Sequence, residues 1–208
     1  FSDIAKRRRA NPGDDLVSLL ANARIDGQPL PDAELMAYYL ILIVAGNETT
    51  RNAVSGGLLA FLDHEEQWRK LRQDRALLPS AVEEVLRFHN STQYMHRTLT
   101  RDVELHGERL QEGQSVLLHI GAANHDPREF GPTAEEFDIH RRPERHLAFG
   151  YGAHFCLGAA LARMEGRVAL EEIHRRLPDY RVDRDRAVRF HSSNVTGWTS
   201  LPLTFTPS

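Results

Sequence analysis

Apolar residues in this chain fall mostly at helical spacing, with a central stretch and a tail in which they alternate with polar ones. After a short polar opening, Asp14-Asp15-Leu16-Val17-Ser18-Leu19-Leu20 reads as a helix start, with acids in the first turn and an apolar face behind them. Asp26-Gly27 marks a turn, and Pro31-Asp32 opens a long helix expected to run to about Leu62 with no proline to interrupt it. The first half of that helix is almost wholly apolar, which predicts burial on every side. Then Ala45-Gly46-Asn47-Glu48-Thr49-Thr50 places polar groups and a helix-weakening glycine in its middle. Two shorter helices are predicted over 64–73 and 80–88. From Arg97 to Leu118 the pattern becomes that of strands, with His106-Gly107 and Glu112-Gly113 as turns. Asn124 to Pro143, rich in Pro, Gly, Asp and His, predicts an irregular meander. A last amphipathic helix is expected from about Leu157 to Leu177, followed by short strands at Tyr180-Arg181-Val182, Val188-Arg189-Phe190 and Leu203-Thr204-Phe205. The pattern therefore predicts a mainly α fold with a small antiparallel β portion, no internal repeat and no domain linker.

Composition narrows the function classes. With 208 residues, 41% hydrophobic and 26% charged, the chain can bury a sizeable core. A net charge of −3 and only short basic runs, Lys6-Arg7-Arg8-Arg9 and His140-Arg141-Arg142, argue against a nucleic-acid partner. The longest apolar run, Leu35 to Gly46, is shorter than the ~20 residues a bilayer span needs. With one cysteine no internal disulfide can form, which fits a reducing, cytoplasmic setting. The first residue is Phe1 rather than Met, and the chain is expected to be part of a longer protein.

That one cysteine lies in Phe149-Gly150-Tyr151-Gly152-Ala153-His154-Phe155-Cys156-Leu157-Gly158. A cysteine among small residues at the start of a helical pattern sits where backbone N–H groups and the helix dipole favour a thiolate. The glycines allow sharp turns and the close approach of something flat. Taken alone, an isolated cysteine is more often buried and inert. His154 and Cys156 could also be half of a zinc site, but structural zinc takes about four ligands and there is no second Cys. The whole ten-residue pattern resembles the haem-ligand loop of the cytochrome P-450 family at each of its defining positions.

Further segments strengthen the resemblance. Ala45-Gly46-Asn47-Glu48-Thr49-Thr50 is similar to the family's oxygen-activation motif, which implies Glu48 as the proton-relay acid and Thr49 as the alcohol that steadies dioxygen, with Ala45 and Gly46 against the cofactor. Glu84-Val85-Leu86-Arg87 puts an acid and an arginine on one helical face, by itself a routine ion pair. In the family, Glu-x-x-Arg is a structural signature completed by an arginine of the meander, and counting back from Phe149 favours Arg141, with Arg142 and Arg145 as alternatives. The resemblance further implies Arg97 and His154 as propionate partners, with Phe149, Gly150 and Gly158 shaping the haem loop. It places substrate contacts at Ile41 and Val44 on the long helix, at Gln93 and Tyr94 within 91–95, and at Val195 and Thr196 within 192–198.

Assembled, these parts imply the C-terminal half of a cytochrome P-450 fold. Residues 1–208 are then a single, partial haem-thiolate monooxygenase domain using haem b, with Cys156 as the iron ligand. Such a protein inserts one oxygen atom from O2 into a C–H bond of a small lipophilic substrate. No flavin, pyridine-nucleotide or iron–sulfur motif is present, so electrons are expected from an external ferredoxin and ferredoxin reductase, docking on cations that include Arg141, Arg142, Arg145 and Arg163. The alternatives are a haem-binding redox or gas sensor, which has no use for Glu48 and Thr49, and a catalytically silent fragment that holds haem weakly or not at all.

Overall fold

The structure, a computed structural model, describes residues 1–206. Its elements run α1 (Ser2–Ala10), α2 (Leu16–Ala21), β1 (Arg24–Ile25), β2 (Gln28–Pro29), α3 (Asp32–Asp63), α4 (Glu65–Gln73) and α5 (Leu78–Phe88). Then come β3 (Met95–Thr98), β4 (Val103–Leu105), β5 (Glu108–Leu110), β6 (Ser115–Leu118), α6 (Ile120–Ala123) and α7 (Pro127–Phe130). The chain closes with α8 (Ala159–Arg176), β7 (Arg181–Val182), β8 (Val188–Arg189), β9 (Trp198–Ser200) and β10 (Leu203–Thr204). The described backbone packs as two compact units, residues 1–48 and 49–206, and the residues of α3 are shared between them.

In the first unit α1 replaces the expected polar opening. Its basic run is helical because Ala5 is buried beneath it and Arg9 is tied down, donating to the carbonyls of Ala21 and Leu30 and pairing with Asp32 at 2.6 Å. The acidic start of α2 behaves as its pattern predicts: Asp15 caps the helix by accepting from the Ser18 N–H at 2.7 Å. Asp26-Gly27 joins β1 to β2, both residues at positive φ, the geometry a two-residue hairpin demands. Leu35 and Tyr39 complete this small core, and the Tyr39 hydroxyl donates to the Val17 carbonyl. The expectation that the first half of α3 is buried on every side is wrong. The core of this unit reaches a single stripe, and Leu40, Ile41, Ile43 and Val44 are exposed.

The second unit carries the larger core. Leu58 and Phe61 of α3, Trp68 and Leu71 of α4, and Ala81, Val82 and Val85 of α5 close on Phe137, Ile139, Leu170 of α8 and Tyr180. Helix α4 fits because its apolar positions fall on one side while Glu65 and Glu66 open it and Lys70 and Arg72 close it, each charge matched to the helix dipole. Leu71→Ala removes a side chain with no exposed surface. That substitution should cost about 2–5 kcal/mol.

Glycines let α5 approach two neighbours closely. A Cβ on Gly57 of α3 would stand 2.9 Å from the Val85 side chain, and one on Gly166 of α8 would stand 3.3 Å from Val82. The β portion consists, among the described residues, of two-stranded antiparallel ladders: β1 with β2, β3 with β6, β4 with β5, β7 with β10 and β8 with β9. The strand expected to open at Arg97 begins at Met95, so that Arg97 faces Val116 across the β3–β6 ladder. The meander is less irregular than expected, since Ile120–Ala123 and Pro127–Phe130 are short helices, the latter capped by Asp126 with Pro127 at its first position. The last helix starts at Ala159, two residues later than expected, which leaves Leu157 in the preceding loop.

Candidate active site

The loop before α8 is built by its glycines and closed by its backbone. Gly150 and Gly152 both adopt positive φ, 71° and 72°, which an L side chain resists. These turns bring the Cys156 N–H to the Phe149 carbonyl at 2.9 Å, while Phe155 donates to the Gly152 carbonyl at 3.0 Å. Cys156 is half-buried at the mouth of α8, and Phe155 and Leu157 on either side of it are exposed, Leu157 at 84%. Nothing stands within 4 Å of a Cβ built on Gly158. His154 ends a short 3-10 turn, Gly152–His154, and is exposed.

The donor set is a single thiol flanked by apolar side chains. Among the described residues no three His, Cys, Asp or Glu side chains gather as ligands. A haem would need only one sulfur donor from the chain and an apolar surface to lie against, and Cys156 beside exposed Phe155 and Leu157 fits both needs.

Beneath the loop, α5 presents two adjacent carboxylates to different partners. Glu84 is fully buried and accepts from Arg87 Nη2 at 2.7 Å and Arg87 Nε at 2.8 Å, from the Asp138 N–H at 2.9 Å and from Arg141 Nε at 3.3 Å. Arg87, also fully buried, spends its remaining N–H groups on the carbonyls of Asn124, Ala134 and Glu136, so its five donors are all used. Arg141 reaches on to the carbonyls of Phe130 and Thr133. Glu84, Arg87 and Arg141 thus come together, whereas Arg142 bonds to nearby carbonyls and Arg145 lies 3.6 Å from Glu129.

Glu83 turns toward the cysteine loop. It accepts from Arg163 Nε at 2.7 Å and Arg163 Nη2 at 3.0 Å, and pairs with His146 Nε2 at 3.0 Å. Burial works to raise its pKa, but the hydrogen bonds from His146 and Arg163 and the positive charge of Arg163 outweigh it and hold the carboxyl down at about 2. Arg163 also covers the buried Phe149 ring at 4.6 Å. Glu83, His146 and Asn124 escaped the sequence reading as site residues. The available signal was the second acid beside Glu84 and a histidine three residues before Phe149. Arg141 and Arg163, expected as docking cations, have their charges engaged by Glu84 and Glu83.

The other expected positions are distributed as follows. Glu48 and Thr49 are half-buried neighbours on α3, which runs unbroken through exposed Ala45 and Gly46. Arg97 is exposed on β3 and donates to the His96 carbonyl. The segments 91–95 and 192–198 are joined: Gln93 N–H donates to the Asn194 carbonyl and Thr196 N–H to the Ser91 carbonyl, both at 2.8 Å, and Thr92 bridges Val195. Gln93, Val195 and Thr196 line an open groove of about 610 Å³, while Tyr94 packs edge-on to His96. Ile41 and Val44 are exposed on α3.

Residues 3–185 match the family model for cytochrome P450. The chain belongs to the cytochrome P450 family. It is 44% identical over 207 residues to a steroid C26-monooxygenase of Mycolicibacterium smegmatis, covering 99% of this chain and 51% of that protein. A methyl-branched lipid omega-hydroxylase of Mycobacterium bovis is also 44% identical, over 204 residues, covering 97% of this chain and 47% of the relative. The substrate-free crystal structure of CYP109E1 from Bacillus megaterium superposes with a TM-score of 0.92 at 36% identity, over 100% of this chain and 54% of that one. The chain spans about half the length of the curated P450 relatives it matches. Its fold, mainly helical with small antiparallel ladders, is the corresponding half of a P450 chain, and the family implies a haem-thiolate cofactor. Among the described residues no helix is long and apolar enough to cross a membrane.

Proposed function

We propose that this chain carries the iron-ligating half of a bacterial, cytoplasmic P450 monooxygenase that hydroxylates a C–H bond of a small lipophilic substrate. The observation that carries the proposal is Cys156, held by the Phe149 carbonyl in a glycine-turned loop with apolar side chains on both flanks. The cofactor is haem b, which when bound supplies the iron that activates dioxygen. Cys156 would hold the iron through its thiolate, whose electron donation would tune the group for oxygen chemistry. Arg97 and His154 would pair with the propionates, and Phe149, Gly150 and Gly158 would shape the loop that holds the group. Ala45 and Gly46 are the small residues that the family resemblance assigns to the cofactor. Glu48 would serve as the acid that relays protons, and Thr49 Oγ1 as the alcohol that donates a hydrogen bond beside it.

Gln93, Val195 and Thr196, which line one groove, would contact the substrate, and the family resemblance assigns the same role to Ile41, Val44 and Tyr94. The relatives' names, a steroid C26-monooxygenase and a methyl-branched lipid omega-hydroxylase, support an aliphatic chain end as the position oxidised. Electrons arrive from a ferredoxin served by a ferredoxin reductase. Arg142, exposed near the loop, remains a docking cation where Arg141 and Arg163 do not.

The test is a pair of substitutions in the haem-loaded protein. Cys156→Ala should abolish the thiolate signature of the reduced carbon-monoxide complex. Thr49→Ala should keep that signature while electrons drain to peroxide or water instead of product. A normal signature after Cys156→Ala overturns the proposal, and a Thr49→Ala variant as tightly coupled as the wild type removes the oxygen-handling role from Thr49.

A further inference from the structure

We infer that Glu83 is a positioning residue that aims the cysteine loop, acting through His146 and Arg163 and separately from the Glu84 cluster. The inference rests on Cys156 being the iron ligand. Successive residues of a helix point about 100° apart, so Glu83 and Glu84 can serve different structures from one turn of α5. Glu84 faces Arg87, Arg141 and the Asp138 N–H, all concerned with the meander. Among the described residues Glu83 bonds to the loop lead-in and to α8, through two N–H groups of Arg163 and one of His146.

Each of the four residues leading into the loop is tied to something. His146 Nδ1 accepts from the Ala148 N–H at 3.2 Å, which leaves the proton on Nε2 to be donated to Glu83 at 3.0 Å. Leu147 N–H donates to Asn124 Oδ1 at 2.7 Å, and Asn124 passes its own carbonyl to Arg87. Phe149 is pinned under the guanidinium of Arg163, which Glu83 orients by a two-point, charge-assisted contact. The Phe149 carbonyl in turn receives the Cys156 N–H. One carboxylate therefore fixes both the imidazole at the loop entry and the cation over the ring whose carbonyl holds the cysteine. Removing its charge leaves Arg163 without an anion to face, and Phe149 without a fixed cover.

The experiment compares the wild type, Glu83→Gln and, as a control, Glu172→Gln, whose ion pairs with Arg175 and Arg176 lie on the exposed surface of α8. Amide hydrogen exchange is followed on the haem-free 208-residue chain. In Glu83→Gln the amides of 146–158 should exchange on the order of tenfold faster, while those of α4 keep their wild-type rates. The control should change neither. In the haem-loaded protein, reduced and exposed to carbon monoxide, Glu83→Gln should lower the thiolate-ligated fraction about twofold or more in favour of the protonated-thiol form. Arg163→Gln should produce the same loss, and Glu83→Gln should add nothing to it.

Unchanged exchange in 146–158 overturns the inference. So does faster exchange spread evenly over α4 and the loop, which marks general loosening rather than aim, and so does an unaltered thiolate fraction in a haem-loaded variant. If the wild type takes up no haem while Glu83→Gln still loosens the loop selectively, the anchor stands and the monooxygenase proposal falls.

Discussion

Glu84 and Arg87 are buried together with all five Arg87 donors used, and that makes each indispensable to the other. A buried ion pair is a weak source of net stability, but removing one partner strands the other in the core at about 3–5 kcal/mol. Arg87→Leu should therefore unfold at much lower denaturant than the wild type, with a larger loss than Arg142→Leu, whose side chain is exposed. His89 offers a second test. Burial first, and then the positive charge of Arg189, depress its imidazole to about 4. A histidine whose folded pKa lies below its unfolded value must lose a proton to fold, so its contribution is complete above about 6.5 and is lost as pH falls toward 4, at most about 3 kcal/mol. Denaturant midpoints should fall across that window in the wild type and fall less in His89→Gln. The Glu83 carboxylate, held down at about 2, acts in the same direction but in a lower window, from about 4.5 down to about 2. At this level the sequence singled out Cys156 and Glu84, because the readings placed on them rest on neighbours at fixed spacing. It was silent about Glu83, whose partners His146 and Arg163 lie 63 and 80 residues away.

Helix α3 shows what periodicity can and cannot reveal. Its existence and end points followed from Pro31 and an unbroken pattern, but its burial did not. An apolar run says that water is disfavoured and says nothing about which neighbour covers it, and here Leu40, Ile41, Ile43 and Val44 stay exposed. The reverse error occurred at α1, where a basic run looked like coil until Arg9 found two carbonyls and Asp32. Glycines within α3 have opposite duties. A Cβ on Gly56 would land 1.7 Å from the His89 ring, whereas one on Gly46 meets nothing within 4 Å. Gly56→Ala should then lower the thermal midpoint, costing about 1–3 kcal/mol through overpacking despite better helix propensity. Gly46→Ala should raise that of the haem-free chain, by up to about 1 kcal/mol. The hairpin turns at Asp26-Gly27 and His106-Gly107 were legible for a local reason: few residues other than glycine accept the positive φ they show.

Across the whole chain, identity near 44% to steroid and lipid hydroxylases and a TM-score of 0.92 to a crystallised P450 agree on the architecture, over about half the length of each relative. Fold class was legible because motifs tied to haem and to the Glu-x-x-Arg cluster each appear in order along the chain. The substrate was not, since the groove proposed for it beside Gln93 and Val195 is defined by backbone pairing between distant segments rather than by any local signature. One further property follows from how α5 is seated. Val82 and Val85 each stand against a glycine, Gly166 on one neighbour and Gly57 on the other. Sliding the helix by one turn, about 5.4 Å along its axis, would carry both valines off their notches. The rod is keyed like a shaft in its housing, so thermal motion can rock it but not ratchet it, and both carboxylates on it keep a constant address.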